Sequence, residues 1–289
     1  MKTMKQRRKT GLILLLLLPP FLFYISFFLA PFLTVVGVSV GLILPSEAQQ
    51  ARGEVITLRY FQDALDPIFI RVLSRSLLFA LATSAGCVLL GFPVAYFIAF
   101  KGGRYKNFLI LLVILPLWVT FVLRAYAVLS LLGPEGVVNS FLMNLGVIKQ
   151  PLYLIYNEFA VMLGMLYGYL PFMILPLYAS LEKISKTVVE AARALGAGPF
   201  TAFLKVTLPL SKPGLVAGTL LTFIPAAGEF IIPSFLGGPN EVFVGTMIYS
   251  AFISARNWNW GSALSLVYIA LVIVGVTLYM RYSREELTI

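Results

Sequence analysis

The chain contains no histidine, which removes the commonest metal ligand and the side chain best suited to relaying protons near neutral pH. Its one cysteine, Cys87, can form no internal disulfide and is read as a small packing residue. No Gly-x-x-x-x-Gly-Lys-Ser/Thr phosphate loop occurs anywhere, so the chain cannot by itself hold and hydrolyse ATP in the usual way. No acid and base stand at catalytic spacing, and we expect no catalysis and no cofactor or metal in this chain. Charge is scarce too: 12% of the 289 residues are charged, against about 25% in soluble domains.

What is present in excess is apolar sequence. Hydrophobic residues make up 60% of the chain and the mean hydropathy is +0.92. A membrane-spanning helix needs about 20 predominantly apolar residues, and six such stretches can be drawn: Leu12–Leu44, with breaks or tilt expected near Pro19, Pro20 and Pro31, then Leu73–Phe100, Phe108–Leu132, Phe159–Leu181, Gly214–Phe235 and Gly261–Met280. The predicted fold class is an all-α integral membrane protein with six transmembrane helices, forming a single domain over 1–289.

The basic residues orient it. Lys2, Lys5, Arg7, Arg8 and Lys9 lie in the tail, Lys101, Arg104 and Lys106 after the second stretch, Lys183, Lys186, Arg193, Lys205 and Lys212 after the fourth, and Arg281 and Arg284 at the end. These fall on one face, and the positive-inside rule makes that face cytoplasmic. Both termini are therefore expected inside, with residues 1–10 as a cytoplasmic tail. A basic tail before a leucine run also resembles a secretory signal, but the apolar run is too long and more spans follow. The net charge of +10 does not point to nucleic acid, because the cations are scattered beside spans, where topology and anionic lipid account for them.

The most informative segment is TVVEAARALGAGPFTAFLKVTLPLSKP, Thr187 to Pro213. Thr187 and Glu190 have capping-box spacing, predicting a short helix that runs to Leu195 and stops at Gly196 in the left-handed conformation. Gly198 then caps a second helix with Pro199 at its first position. Two short helices set between spans are shaped to dock into a partner.

These residues resemble the EAA loop of permease subunits of ATP-binding cassette importers: Glu190, Ala191, Ala192, Gly196, then Leu208 and Pro209, with Val206 where Ile is usual. The likeness extends over about residues 60–282, through GYLPFMILPLYASLEKI upstream and LPLSKPGLVAGTLLTFIPAAGEFIIPSFLGG downstream, the latter similar to spermidine and putrescine permeases. The resemblance implies a type I importer permease fold in the bacterial inner membrane, with residues 181–212 as a cytoplasmic ATPase-coupling hairpin. It also implies a second homologous permease, an extracytoplasmic binding protein and two cytoplasmic ATP-binding subunits, with ATP and magnesium held in those subunits. Other cargoes (an amino-acid derivative, a phosphonate, ferric iron) belong to similar permeases, and an ion-coupled secondary carrier is the rival outside the class.

Charge inside a membrane is costly, at least about 2.5 to 3.5 kcal/mol, and two such residues stand out. Counting along unbroken helices puts Glu229 and Arg124 at nearly the same depth, as an ion pair between the third and fifth spans, with Glu229 facing a cationic substrate, or simply exposed at the headgroups. Pro225, Gly228 and Pro233 around Glu229 predict a broken helix, which is tolerated where it is buried in protein or lines a wet cavity. Trp118, Tyr126 and Tyr169 are candidate cation–π partners for an ammonium cargo, whereas Trp258 and Trp260 fit an interfacial belt. Two external segments complete the reading. TLRYFQDALDPIF is expected as a short helix over the bundle, and EGVVNSFLMNLGVI as an amphipathic helix at the interface or a docking surface for a binding protein. The charge pattern gives a direct test: reporter fusions at Ala51, Gly136 and Asn240 are expected outside and those at Gly103 and Gly198 inside. A fusion at Gly198 that reports outside overturns both the orientation and the coupling assignment.

Overall fold

The computed structural model describes residues 16–287, with side chains as far as Ser283 and Ala48 excepted. The tail 1–10 with its five cations, the predicted start of the first span at Leu12 and the Arg284 side chain lie outside the described residues. In chain order the helices are α1 (Leu16–Ser39), α2 (Glu47–Ala51), α3 (Arg59–Asp63), α4 (Pro67–Lys101), α5 (Lys106–Ile114), α6 (Phe121–Leu132), α7 (Val137–Asn144), α8 (Glu158–Leu181), α9 (Lys186–Ala194), α10 (Pro199–Ala227), α11 (Ile231–Leu236), α12 (Val244–Ile253) and α13 (Trp258–Leu287). No strand occurs among the described residues, and six helical segments are long and apolar enough to cross a membrane. The chain is a multi-pass membrane protein of all-α class.

Several boundaries differ from the sequence reading. α1 is not broken at its prolines. Its Ile25–Leu29 turn is π-helical, with Ala30 N–H donating to the carbonyl of Ile25, immediately before Pro31. The same device precedes Pro209, where Leu208 N–H donates to the carbonyl of Phe203. A proline ring collides with the carbonyl four residues back, and opening the ladder by one residue makes room without ending the helix. TLRYFQDALDPIF is divided, since α3 ends at Asp63 and Pro67 begins α4. The predicted third span, Phe108–Leu132, is two pieces: α5 passes through a 3₁₀ turn at Leu115–Trp118, Val119 is extended (φ −94°, ψ 134°), and Thr120 caps α6 by accepting from Leu123 N–H. The third spanning segment is instead Phe121–Asn144, which includes the turn between α6 and α7. The fifth span starts fifteen residues earlier than expected, at Pro199, and stops at Ala227 rather than Phe235. α12 is apolar but too short to cross a bilayer, so the span criterion passed over it.

By its contacts the chain divides into two compact units. One comprises residues as far as Asp66 with Ser250–Val267, and the other Pro67–Tyr249 with Tyr268 onward. In the first, Asn259 Nδ2 donates to the carbonyls of Val38 (2.8 Å) and Leu44 (3.0 Å), clasping the end of α1 to the start of α13. Buried Gln49 donates to the carbonyls of Gly41, Glu54 and Val55 and folds the intervening loop around itself.

In the second unit α8 is central and packs along both α4 and α10, which also meet each other. Its core includes Ala80, Cys87, Phe92, Met165, Met173 and Leu177, so Cys87 is a packing residue as expected. Inside a membrane no hydrophobic force drives helices together, and small residues that permit close backbone approach do much of the work. Gly214 of α10 shows this: a Cβ there would stand 2.5 Å from Ser180 Cβ and 2.6 Å from the carbonyl oxygen of Pro176 on α8. At the other end, Arg75 of α4 donates to Glu158 at the start of α8 (2.6 Å), to Glu241 and to the Asn240 carbonyl, with Phe79 and Phe243 flanking its guanidinium. We predict that Gly214→Val, by forcing α8 and α10 apart, destabilises the chain by about 1 to 3 kcal/mol, read as a lower melting temperature in detergent. Gly275→Val, at a site with open space around its Cα, is the control. Equal melting of the two variants would contradict the tight seam.

Candidate functional site

The hairpin after α8 begins with a tether. Lys106 Nζ donates to Glu182 Oε1 at 2.6 Å; this bond holds the Lys106 pKa above its ordinary value and the Glu182 carboxyl below its own. α9 is capped by Ser185, extended at φ −63° and ψ 132°, whose hydroxyl accepts from Thr187 N–H at 3.3 Å. This corrects the expected capping box. Thr187 is already the second helical residue and Glu190 is exposed along the helix. Ser185 lies two residues upstream, at the point where the chain leaves its turn, and offers the same hydroxyl chemistry sooner.

The end of α9 is as expected. Gly196 is left-handed (φ +89°), with Gly196 N–H bonded to the Arg193 carbonyl and Ala197 N–H to that of Ala192. This pair of bonds is a Schellman closure. Gly198 and Pro199 then open α10 as predicted. However, Leu208 and Pro209 do not close a hairpin: α10 continues through them as one helix from Pro199 to Ala227. Val188, Leu195 and Phe200 leave an apolar surface exposed on the hairpin. Glu190 and Ala191 are exposed beside them, Ala192 is half-buried, and Leu208 and Pro209 lie further along α10. A groove of about 710 Å³, lined by Pro176, Ser180, Lys183, Val188 and Leu210, runs under the hairpin at the base of α8 and α10.

The second candidate lies where α10 ends. The helix stops at Ala227, Gly228–Phe230 is irregular, and α11 starts at Ile231, so the break falls between Pro225 and Pro233 as the sequence indicates. Glu229 is buried, 8% exposed, and so is Arg124, 5% exposed. They do not form an ion pair: the ion pairs among the described residues are Arg52–Glu54, Arg75–Glu158, Arg75–Glu241 and Lys106–Glu182. Glu229 Oε2 accepts from the hydroxyl of Tyr169, and Oε1 accepts from Ile231 N–H (2.8 Å) and Ile232 N–H (3.4 Å). The carboxylate therefore satisfies the unpaired donors at the start of α11, where the helix dipole also favours negative charge.

Arg124 bonds to backbone instead. Nε donates to the Val119 carbonyl (3.1 Å) and Nη1 to that of Gly168 (2.9 Å), while the guanidinium lies 4.0 Å from the centre of the Phe121 ring. Because α5 and α6 are separate, Arg124 sits one turn into a new helix rather than far along an old one. Consecutive residues of α8, Gly168 and Tyr169, thus hold the cation and the anion respectively. Tyr126 faces Phe235, with ring centres 4.8 Å apart, and Trp118 is 77% exposed. The structure joins Glu229 to Tyr169, puts Arg124 on the preceding residue of α8, and leaves Tyr126 and Trp118 outside that cluster. Tyr268 was missed: its hydroxyl is 2.7 Å from where a side chain on Gly228 would start, and a tyrosine inside an apolar run carries no signal of that proximity.

Comparison with known proteins follows the same lines. The family described as "Binding-protein-dependent transport system inner membrane component" matches residues 9–284. The chain is 36% identical over 264 residues to the spermidine/putrescine transport system permease protein PotB of Haemophilus influenzae, covering 91% of each chain. Its fold is similar to that in the crystal structure of a bacterial ABC transporter involved in import of the acidic polysaccharide alginate (TM-score 0.75, 20% identity, 99% of each chain). It also matches the bacterial alginate ABC transporter solved with a periplasmic protein bound to an alginate pentasaccharide (TM-score 0.73, 20% identity, 98% of this chain and 97% of the other).

The Tyr169–Glu229 bond is open to a double-mutant cycle. Tyr169→Phe leaves a buried carboxylate oxygen without its donor and is expected to cost about 1 to 3 kcal/mol, measured by thermal melting in detergent. Glu229→Ala should cost more, since it also uncaps α11, and the two effects should add to less than their sum. Wild-type melting of Tyr169→Phe would show that the bond does not hold the break together.

Proposed function

Because this chain belongs to the family of binding-protein-dependent transport system inner membrane components, we propose that it is the membrane permease subunit of an ATP-driven importer of polyamines, spermidine or putrescine. The observation that carries the cargo is the 36% identity along 91% of both chains with a permease of that transport system. That relationship favours polyamines over the other small solutes and over an ion-coupled carrier. A multi-pass protein of this family sits in the inner membrane and works with ABC partners. In our reading these are two cytoplasmic ATP-binding subunits holding ATP and magnesium, a second homologous permease and an extracytoplasmic binding protein. The distribution of Lys and Arg supports both termini in the cytoplasm and hence the hairpin on the side where ATP is. The whole chain, 1–289, acts as one permease domain, with residues 60–282 as its core.

The mechanism follows from the length of α10. Its 29 residues span about 43 Å at 1.5 Å per residue, from Pro199 in the hairpin to the break beside Glu229. Glu190, Ala191, Ala192, Gly196, Leu208 and Pro209 form the coupling element: a partner that moves the exposed face of α9 pushes on Gly196–Pro199 and thereby on the base of a continuous rod. The far end of that rod is the irregular segment Gly228–Phe230, where φ and ψ can change without breaking a helical ladder. Closure of the ATPase pair thus reaches the pathway, which alternates between inward- and outward-facing.

At the break, Glu229 and Tyr169 line the pathway in this reading. A polyamine ammonium replaces the Tyr169 hydroxyl on the carboxylate, and the attraction is larger in a partly dehydrated passage than in bulk water. Arg124, held one residue away on α8, keeps the acid balanced when no cargo is present. Trp118 and Tyr126 offer exposed aromatic faces to cargo or to the second permease.

One assay tests both halves: uptake of labelled spermidine by proteoliposomes holding the complete importer. Gly196→Val strains the left-handed turn, and should uncouple ATP hydrolysis from uptake while the complex still assembles. Glu229→Gln should slow uptake several-fold with basal hydrolysis retained. Normal coupled uptake with Gly196→Val would end the lever argument, and normal uptake with Glu229→Gln at all spermidine concentrations would remove the acid from the pathway.

A further inference from the structure

Fifteen of the 22 basic residues belong to the face assigned as cytoplasmic. Of the seven that do not, Arg75 and Arg124 have the partners described above, and three more, Arg52, Arg59 and Arg256, line a single cavity of about 590 Å³ in the first compact unit. Asp63 is the one acid among the lining residues. Arg52 is held by Glu54 at 2.9 Å, whereas neither Arg59 nor Arg256 has an ion-pair partner among the described residues. Asp63 and Glu54 are outnumbered by the three arginines, and the positive charge left over in the cavity favours an anion.

The backbone of this cavity holds two residues in the left-handed region. Among the described residues three that are not glycine have positive φ, and two of them, Leu44 (φ 56°) and Arg256 (φ 50°), line it. Such conformations persist only where surrounding bonds over-determine them, and they gather at ligand sites. Here the surrounding bonds are visible. Asn259 Nδ2 holds the Leu44 carbonyl, Tyr60 donates to Ser46 Oγ at 2.7 Å, and Ala255 and Asn257 N–H groups are tied to the Ser250 and Ala251 carbonyls on either side of Arg256.

The neighbourhood is amphipathic. The cavity lies just past the end of the spanning helix α1 and at the start of the spanning helix α13, so it is at the level of the bilayer surface. Leu42, Ile43 and Leu44 are exposed directly beside it, and Trp258, half-exposed, forms part of its wall. Tryptophan is enriched at headgroup level on both faces of a membrane, and the planar arginine fork matches the oxygens of a phosphate group. A soluble acidic peptide has no use for the apolar skirt; a phospholipid needs both parts.

We propose that this cavity is a binding site for an anionic phospholipid, with Arg59 and Arg256 on the phosphodiester, Trp258 against the glycerol backbone and the acyl chains along the exposed Leu42–Leu44 surface. The site is independent of the cargo. The test is native mass spectrometry of the complete importer, released from detergent after exposure to equal phosphatidylglycerol and phosphatidylcholine. The wild type should retain phosphatidylglycerol at least about tenfold in preference. The Arg59→Gln/Arg256→Gln chain should lose that preference, while Lys149→Gln, a basic residue outside the cavity, keeps it. Arg256→Gly provides a second variant that suits the positive φ while removing the charge, and it should fold normally and bind weakly. Unchanged retention in these variants overturns the proposal. Displacement of the lipid by millimolar glycerol phosphate reassigns the site to free phosphate esters. Loss of binding-protein association in the variants, with lipid retention unchanged, reassigns it to protein docking.

Discussion

A backbone within hydrocarbon has no water to bond, so every peptide group must find its partner inside the protein. The rest of this structure depends on that constraint. It forces the apolar stretches into helices, and it turns each proline or break within them into a local problem with a local solution. Before Pro31 and Pro209 the ladder opens by one residue and the helix continues. At Gly228–Phe230, where the ladder does end, the side chain of Glu229 takes over the freed donors of α11. At Val119–Thr120, Thr120 caps α6 and Arg124 takes up the Val119 carbonyl.

This accounts for charges at depth in a chain that has few. Glu229 and Arg124 each bond to backbone at an interruption, and α8 supplies a further partner to both through consecutive residues. α10 is continuous from the hairpin to the break. In the proposed mechanism a push on the hairpin reaches the irregular segment after Ala227 rather than passing straight through the membrane.

The hairpin shows how a short exposed element is kept rigid. Ser185 closes its start, the Gly196 turn closes the end of α9, and Pro199 begins the next helix at once. Little slack is left between α9 and α10, while Val188, Leu195 and Phe200 remain uncovered. The coupling role proposed for this element rests on its shape rather than on any reactive group.

The sequence by itself determined the class, the number of apolar segments though not the bounds of the third and fifth, the Gly196 turn, the Gly198–Pro199 start and the break between Pro225 and Pro233, because each follows from local chemistry: hydrophobic length, the left-handed tolerance of glycine and the missing N–H of proline. Only the tertiary structure decided which partners the buried charges take. Counting along ideal helices placed Glu229 beside Arg124, but an unseen break at Val119 invalidated one count, and backbone donors and acceptors competed successfully for both side chains. It also decided the cap of α9, where Ser185 and Thr187 are equivalent by type and differ only in where the chain leaves its turn. The cavity shared by Arg52, Arg59 and Arg256 draws on residues some 200 positions apart, and a linear pattern of charges carries no record of that closure.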